Sequence, residues 1–403
     1  MVICQNSNRK TFMKKITVGL IGAGGIALSQ HLPNLTRAPH VNFKWVCDLS
    51  RKRLEYAQKY YCVPNATTNV NDILSDSEVG MLLIATREDM QAQLTIKALQ
   101  AGKHVYVEKP LAATPEMCEQ VVAAQKKSGK NVAVGFNRRL SPAYLKAKEI
   151  VNTRGGAKNI FYRIADNFWQ WGKMHDYPPR SRILHEVCHI FDIIRFFTGS
   201  DAQSVYCIDS RSDDEIITLK MQNGAIATIL SSGYSQTDMP KEHIEIILGN
   251  KGGIIVDDFV ELHQYGSTEF KPRYTFAGHT HTQCDFTHKY MYEELGLQAH
   301  EALRRILWKK RKQLANDEFD ETMTGLAELK LFLCGRENET SLNENYLCNK
   351  GWLDAVEHFA CSCLNGTLPG TATANDGLAA NIIVNAVIES RKNGMPVHIE
   401  NLS

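Results

Sequence analysis

The chain has 403 residues, with 46 Lys plus Arg against 44 Asp plus Glu, giving a formal net charge of +2. That balance excludes the basic surplus of a nucleic-acid binder, and 22% charged with 43% hydrophobic residues excludes wholesale disorder. No apolar run reaches the ~18 residues of a membrane-spanning helix. Residues 1–14 lack the apolar core of a signal peptide and read as a disordered tail. Eleven cysteines, odd in number and without a C-x-x-C pair, point to reduced thiols in a cytoplasm rather than a disulfide framework.

In chain order, Ile16 to Gly22 (ITVGLIG) is a short apolar run closed by glycine and reads as a buried strand. Gly24 to Leu35 reads as a helix, Asn42 to Cys47 as a strand and Ser50 to Tyr60 as a helix. Strands over Gly80 to Ala85, His104 to Val107 and Asn131 to Gly135 then alternate with helices over Met90 to Ala101 and Pro115 to Ser128. This βα alternation predicts a doubly wound parallel sheet over residues 15–137. After a helix at Pro142 to Val151, a strand at Asn159 to Trp169 and an apolar helix at Ile183 to Phe197, the pattern changes. Six short strands between Ser204 and Tyr265 are separated by turn residues such as Asn223-Gly224, so hairpins and an antiparallel sheet are expected. The fold class is therefore α/β: a Rossmann domain, then an α+β domain over 138–403 with an open, mainly antiparallel sheet. A helical insertion spans about 279–346, and helices at Trp352 to Leu364 and Asn375 to Arg391 close the chain.

Gly22-Ala23-Gly24-Gly25-Ile26-Ala27 fits G-x-G-x-x-A between a strand and a helix. The first glycine permits the turn, Gly24 lets a pyrophosphate approach the backbone, and small Ala27 lets the helix pack on the sheet. Asp48, at the end of the second strand, is placed to bind ribose hydroxyls and favours NAD, with NADP left open by Arg51, Lys52 and Arg53. The ends of the next two strands, Ala85-Thr86 and Glu108-Lys109-Pro110, line the same cleft, because ligands in such sheets bind beyond the C-terminal strand ends.

The glycine motif, AGKHVYVEKPLAAT (Ala101 to Thr114) and VGFNRR (Val134 to Arg139) together resemble the glucose-fructose oxidoreductase/inositol dehydrogenase/rhizopine catabolism family, from about Lys15 onward. The resemblance implies a nicotinamide-dependent enzyme acting on sugars or cyclitols. It also implies that Lys109 contacts the reacting hydroxyl and that a helix histidine, here His189, carries the proton. The residues agree: on the apolar helix RILHEVCHIFDIIRFFTG, His185, His189 and Asp192 fall at i, i+4 and i+7 and are expected on one stripe. His185, Glu186 and Asp192, with Asn167 and Trp169 on the preceding segment, are candidate substrate-binding groups. The family's usual acid four residues before the histidine is here His185, and Glu186 is expected to take that role. After Thr86 the usual turn is replaced by Arg87-Glu88-Asp89, with Gln91 in the place of a histidine.

His185-Glu186-Val187-Cys188-His189 also satisfies the zinc-peptidase pattern H-E-x-x-H. The longer metzincin pattern fails at Asp192 and Arg195, so no metal is assigned. Gly278-His279-Thr280-His281, with Cys284 and His288, reads as a polar loop rather than a ligand set. The expected function is hydride transfer between NAD and a sugar or cyclitol hydroxyl, in a homodimer or homotetramer without nucleic-acid or membrane partners. The alternatives are redox-assisted glycoside cleavage, a non-catalytic sugar sensor and a metallopeptidase.

Overall fold

The computed structural model describes residues 14–166, 181–235, 239–276, 292–302, 305 and 348–400. The first sheet contains β1 (Ile16–Ile21), β2 (Val41–Cys47), β3 (Asn65–Thr67), β4 (Val79–Ile84), β5 (His104–Val107) and β6 (Val132–Val134). All run parallel, in the order β3-β2-β1-β4-β5-β6. The order reverses between β1 and β4, and the crevice for a dinucleotide opens there. Sequence periodicity expects five strands, but a sixth forms at β3, followed by the short helix α1 (Val70–Leu74). Three polar-to-small residues, Asn-Ala-Thr, carry no hydrophobic signature, and only pairing with β2 makes them a strand.

Around this sheet lie α2 (Arg51–Tyr61), α3 (Glu88–Gln100) and α4 (Pro115–Ser128). Thr114 caps α4 by accepting from the Met117 amide, Pro115 supplies the fixed φ of a first turn, and Gly129 ends the helix at φ 65. The helix expected from Gly24 is a π-helical turn, Ala27–His31, running into α5 (Leu32–Arg37).

A second, nine-stranded sheet contains β7 (Ala157–Ala165), β8 (Ala202–Arg211), β9 (Asp214–Met221), β10 (Ile226–Ser232), β11 (Glu242–Leu248), β12 (Gly253–Asp257), β13 (Glu261–Tyr265), β14 (Arg273–Thr275) and β15 (Val397–His398). Alternation decides its faces: β9 buries Ile217, Leu219 and Met221 and turns Ile216, Thr218 and Lys220 outward. The sheet is mixed, because β10 runs parallel to β7 while its other pairs are antiparallel. β7 enters first, and β8 to β10 return as a meander after an intervening helix, so β10 reaches β7 through a crossover. Helices α6 (Pro142–Thr153), α7 (Cys188–Thr198) and α8 (Ala374–Asn393) cover the inner face.

The helix α9 (Trp352–Asn365) comes from the C-terminal part of the chain yet buries Ala355, Val356, Phe359 and Ala360 against Val18, Leu20, Leu83 and Tyr106 of the first sheet. A bridge between Ala133 and Thr373 ties the following segment to β6. The chain thus crosses between its two halves more than once. Truncating Phe359 to Ala should cost about 3–5 kcal/mol in urea unfolding, and an unchanged midpoint would show that α9 contributes little to the first core.

Candidate active site at the interdomain cleft

The glycine loop leaves β1 with Gly22 at φ 94, where a Cβ would lie 2.3 Å from the Ala85 carbonyl oxygen. Only glycine fits that turn. At Gly24 a Cβ would meet nothing within 4 Å, so the backbone there faces open space, as a pyrophosphate cradle requires. Asp48 accepts from the amides of Ala23 (2.7 Å) and Ser50 (2.8 Å), which ties the end of β2 to the glycine loop. Arg53 turns toward this carboxylate at 3.7 Å. The residues present therefore fit a dinucleotide. Gly22, Gly24, Gly25, Ile26, Ala27, Asp48, Ala85 and Thr86 all lie at the C-terminal ends of β1, β2 and β4, as expected from the sequence.

β5 delivers the Glu108-Lys109-Pro110 turn, with a cis bond before Pro110. Lys109 reaches across the cleft and donates its ammonium to the carbonyl oxygen of His185. His185 lies in a π-helical turn, Ile183–Val187, which precedes α7. Such turns are frequent at functional sites. His189 follows, 2% exposed, with its ring edge-on to Phe136 at 5.7 Å. Its Nδ1 has no hydrogen-bond partner among the described residues. Burial, then Arg138 and Lys109, hold the His189 pKa well below the ordinary 6.5. His185 is pushed down to about 4 by burial and Lys109. Both shifts favour the neutral ring, in which one nitrogen is a hydrogen-bond acceptor.

Beneath them lies a buried ionic cluster. Arg138, 4% exposed, bonds Glu186 at 3.0 Å and grips Glu242 with two contacts of 2.8 Å. Lys241 holds Glu186 at 2.7 Å and Asp166 at 3.0 Å, and Lys350 adds a 2.9 Å contact to Glu242. Burial would raise the pKa of Glu186, but Lys241 and Arg138 outweigh it and hold the carboxyl well below its usual range. Sequence reading misses Arg138, Lys241, Glu242 and Lys350. Arg138 stands in the VGFNRR motif, but nothing in that motif says which acids it meets.

The expected single stripe of His185, His189 and Asp192 is not what forms. His185 faces Glu88 of α3 at 3.5 Å. Asp192 is fully buried, both its oxygens held by Arg139 at 2.8 and 2.5 Å. The correction for Asp192 is thus from substrate group to structural anion: Arg139 continues to Asp376 of α8 and locks the helix in place. The π turn shifts the helical phase between His185 and α7, which spacing alone does not reveal. Glu108 is also buried, 3% exposed, with one carboxylate oxygen against His31. Asn167, Trp169 and the segment 277–291 with its histidines lie outside the described residues, as does most of the expected insertion. The H-E-x-x-H pattern does not build a ligand set among the described residues. Its glutamate is held by two cations, and its first histidine lies 3.5 Å from Glu88. His40, Glu357 and Cys361 come together elsewhere, with the His40 ring hydrogen-bonded to the Glu357 carboxylate.

A glycine cradle at a topological switch point, facing a lysine and a buried histidine, defines a dinucleotide-dependent oxidoreductase. Residues 16–136 match the model of the GFO_IDH_MocA oxidoreductase family, NAD-binding Rossmann fold, and residues 148–399 match the family's C-terminal alpha/beta domain. The chain belongs to this family. It is 28% identical over 263 residues to an uncharacterized oxidoreductase, YrbE, of Bacillus subtilis, covering 61% of this chain and 74% of that one. It is 26% identical over 208 residues to an inositol 2-dehydrogenase of Salmonella typhimurium (51% and 61%), and 26% identical over 267 residues to a myo-inositol 2-dehydrogenase of Thermotoga maritima (60% and 76%). The matched stretches thus span about three fifths to three quarters of these relatives. The same fold occurs in a scyllo-inositol dehydrogenase of Lactobacillus casei crystallised with NAD(H) and scyllo-inositol. That likeness has a TM-score of 0.68 and 18% identity, over 96% of this chain and 99% of that one.

The depressed pKa of His185 sets a direction for acid stability. Below about pH 6.5 the unfolded chain binds a proton that the folded ring refuses, so this residue's contribution is intact above pH 6.5 and is lost as pH falls toward 4. Between those limits wild type should lose on the order of 3 kcal/mol relative to a His185→Gln variant. Parallel pH dependences in denaturant unfolding of the two proteins would contradict the assignment.

Proposed function

We propose that this protein oxidises a secondary hydroxyl of a cyclitol or sugar to the ketone, or catalyses the reverse reduction, with NAD as redox partner. The observation that carries the reading is the meeting of Lys109, from the nucleotide side, with the helical turn that bears His185 and Glu186 and runs into α7, which carries His189. Inositol dehydrogenases among the relatives support the substrate class.

Residues of the Gly22–Ala27 loop with Asp48, Ala85 and Thr86 would hold the dinucleotide, whose nicotinamide supplies the hydride acceptor. Lys109 hydrogen-bonds the reacting hydroxyl and stabilises the negative charge that develops on its oxygen. His189 is neutral and takes the hydroxyl proton. The cations that depress its pKa also acidify a hydroxyl bound at Lys109, so the transfer runs between two shifted partners. Glu186 faces the imidazolium that forms and stabilises it, as its charge already favours a protonated His189. His185 offers a neutral hydrogen-bonding ring. Acids in this cleft are paired with bases, which suits an uncharged polyol.

In domain terms, 15–137 serves the cofactor and 138–403 the substrate, with α9 returning to brace the first sheet. No described helix is long and apolar enough to cross a membrane, and the thiols of Cys47, Cys62, Cys118 and Cys188 are free. A reducing, cytoplasmic setting fits both. Tyr206, Ile208, Ile216 and Ile226 stand exposed together on the outer face of β8, β9 and β10, a surface suited to pairing with a second copy in a homodimer or homotetramer.

Lys109→Ala and His189→Ala should each lower kcat by ~10²-fold or more, read as NADH formation with a panel of inositols and sugars. Full activity in both variants would sink the assignment, and glycoside cleavage without NADH accumulation would redirect it. The double change Ile216→Glu with Ile226→Glu should reduce the assembly mass in light scattering, whereas an unchanged mass would place the interface elsewhere.

A further inference from the structure

We propose that His31 is a positioning residue for Lys109, acting through Glu108. His31 ends the π-helical turn that follows the glycine loop and is fully buried. Its Nε2–H donates to Glu108 Oε1 at 2.8 Å. The other carboxylate oxygen, Oε2, accepts from the Lys109 backbone N–H at 3.2 Å. The ring is held edge-on by Trp352 of α9 at 5.5 Å and by Tyr106 of β5 at 6.1 Å. Gly135 completes the seat, since a Cβ there would lie 2.9 Å from the Glu108 carboxyl atoms.

The chemistry explains why such a pair would matter to a residue that His31 does not touch. Lysine has a long, rotamer-rich side chain, so its ammonium is only as well placed as the backbone that carries it. A buried carboxylate left without a donor would turn toward solvent or lose its charge. Pinning one oxygen with His31 leaves the other aimed at the Lys109 amide. An apolar pair of equal volume could fill the same core without loss of stability. What the polar pair adds is direction. It also joins the loop suited to the pyrophosphate to the lysine suited to the hydroxyl, through the one helical turn between them.

This inference rests on the hydride-transfer reading, and its test separates the two. His31→Gln keeps a donor at the reach of Nε2, His31→Asn is one methylene shorter, and His31→Leu has no donor. In the full chain, kcat should fall about tenfold to a hundredfold in His31→Leu and His31→Asn, with substrate KM within about twofold of wild type. His31→Gln should recover to within about threefold. In protein without added cofactor, trace acetylation of Lys109 read by peptide mass spectrometry should change several-fold in His31→Asn and remain near wild type in His31→Gln. Should His31→Leu fail to fold, the Gln and Asn variants decide. Equal kcat and equal Lys109 labelling in those two overturn the proposal. If wild type turns over no polyol, the hydride-transfer reading falls and the labelling comparison alone judges the positioning.

Discussion

The arrangement of the cleft depends on one buried cation. Arg138 sits just past the end of β6, in the short 3-10 turn Asn137–Leu140, and its guanidinium reaches two acids of the other half of the chain. Burying a guanidinium is expensive unless carboxylates and hydrogen bonds surround it. Glu186 and Glu242 supply both, and Lys241 and Lys350, with Asp166 as a third acid on Lys241, bring the cluster to charge balance. The cluster fixes the turn that carries His185 and Glu186 against the sheet that carries Glu242. It also sets the electrostatics above it: Lys241 and Arg138 hold the Glu186 carboxyl below its usual range, while burial, with Arg138 and Lys109, lowers the His189 pKa.

A second ionic chain works beside the first. Arg139 binds Asp192 and Asp376, and Arg195 binds Asp376 and Asp201. Together the adjacent arginines of one short turn hold both the helix with His189 and the long helix α8. Two consecutive residues thus face different acid clusters, one under the cleft and one behind α7. Position in this protein is carried by bidentate guanidinium contacts, which are directional, while the apolar cores supply the bulk of the burial.

Much of this was legible in the residues. Apolar runs ending in glycine, with amphipathic stretches between them, gave the parallel sheet, because burial on both faces demands such runs. The glycine motif and the Glu-Lys-Pro turn could be placed at strand ends for the same reason. Other features carry no local signal. β3 is too short and polar to announce itself. The π turn before α7 changes the phase of the helix, so Asp192 leaves the stripe that its spacing predicts. The partners of Arg138 lie 48 and 104 residues away in sequence.

The sequence by itself determined the class of fold and the dinucleotide loop, which follow from periodicities and turn chemistry acting over a few residues. Lys109 and His189 stand out through the resemblance of their motifs to a family, not through any local periodicity. Only the tertiary structure decided which charges meet, that Asp192 belongs to Arg139, that Glu108 turns inward to His31, and that α9 returns to the first sheet. Pairing of buried charges is a long-range constraint: it is settled by which groups must be satisfied together once water is excluded, and no local spacing encodes that.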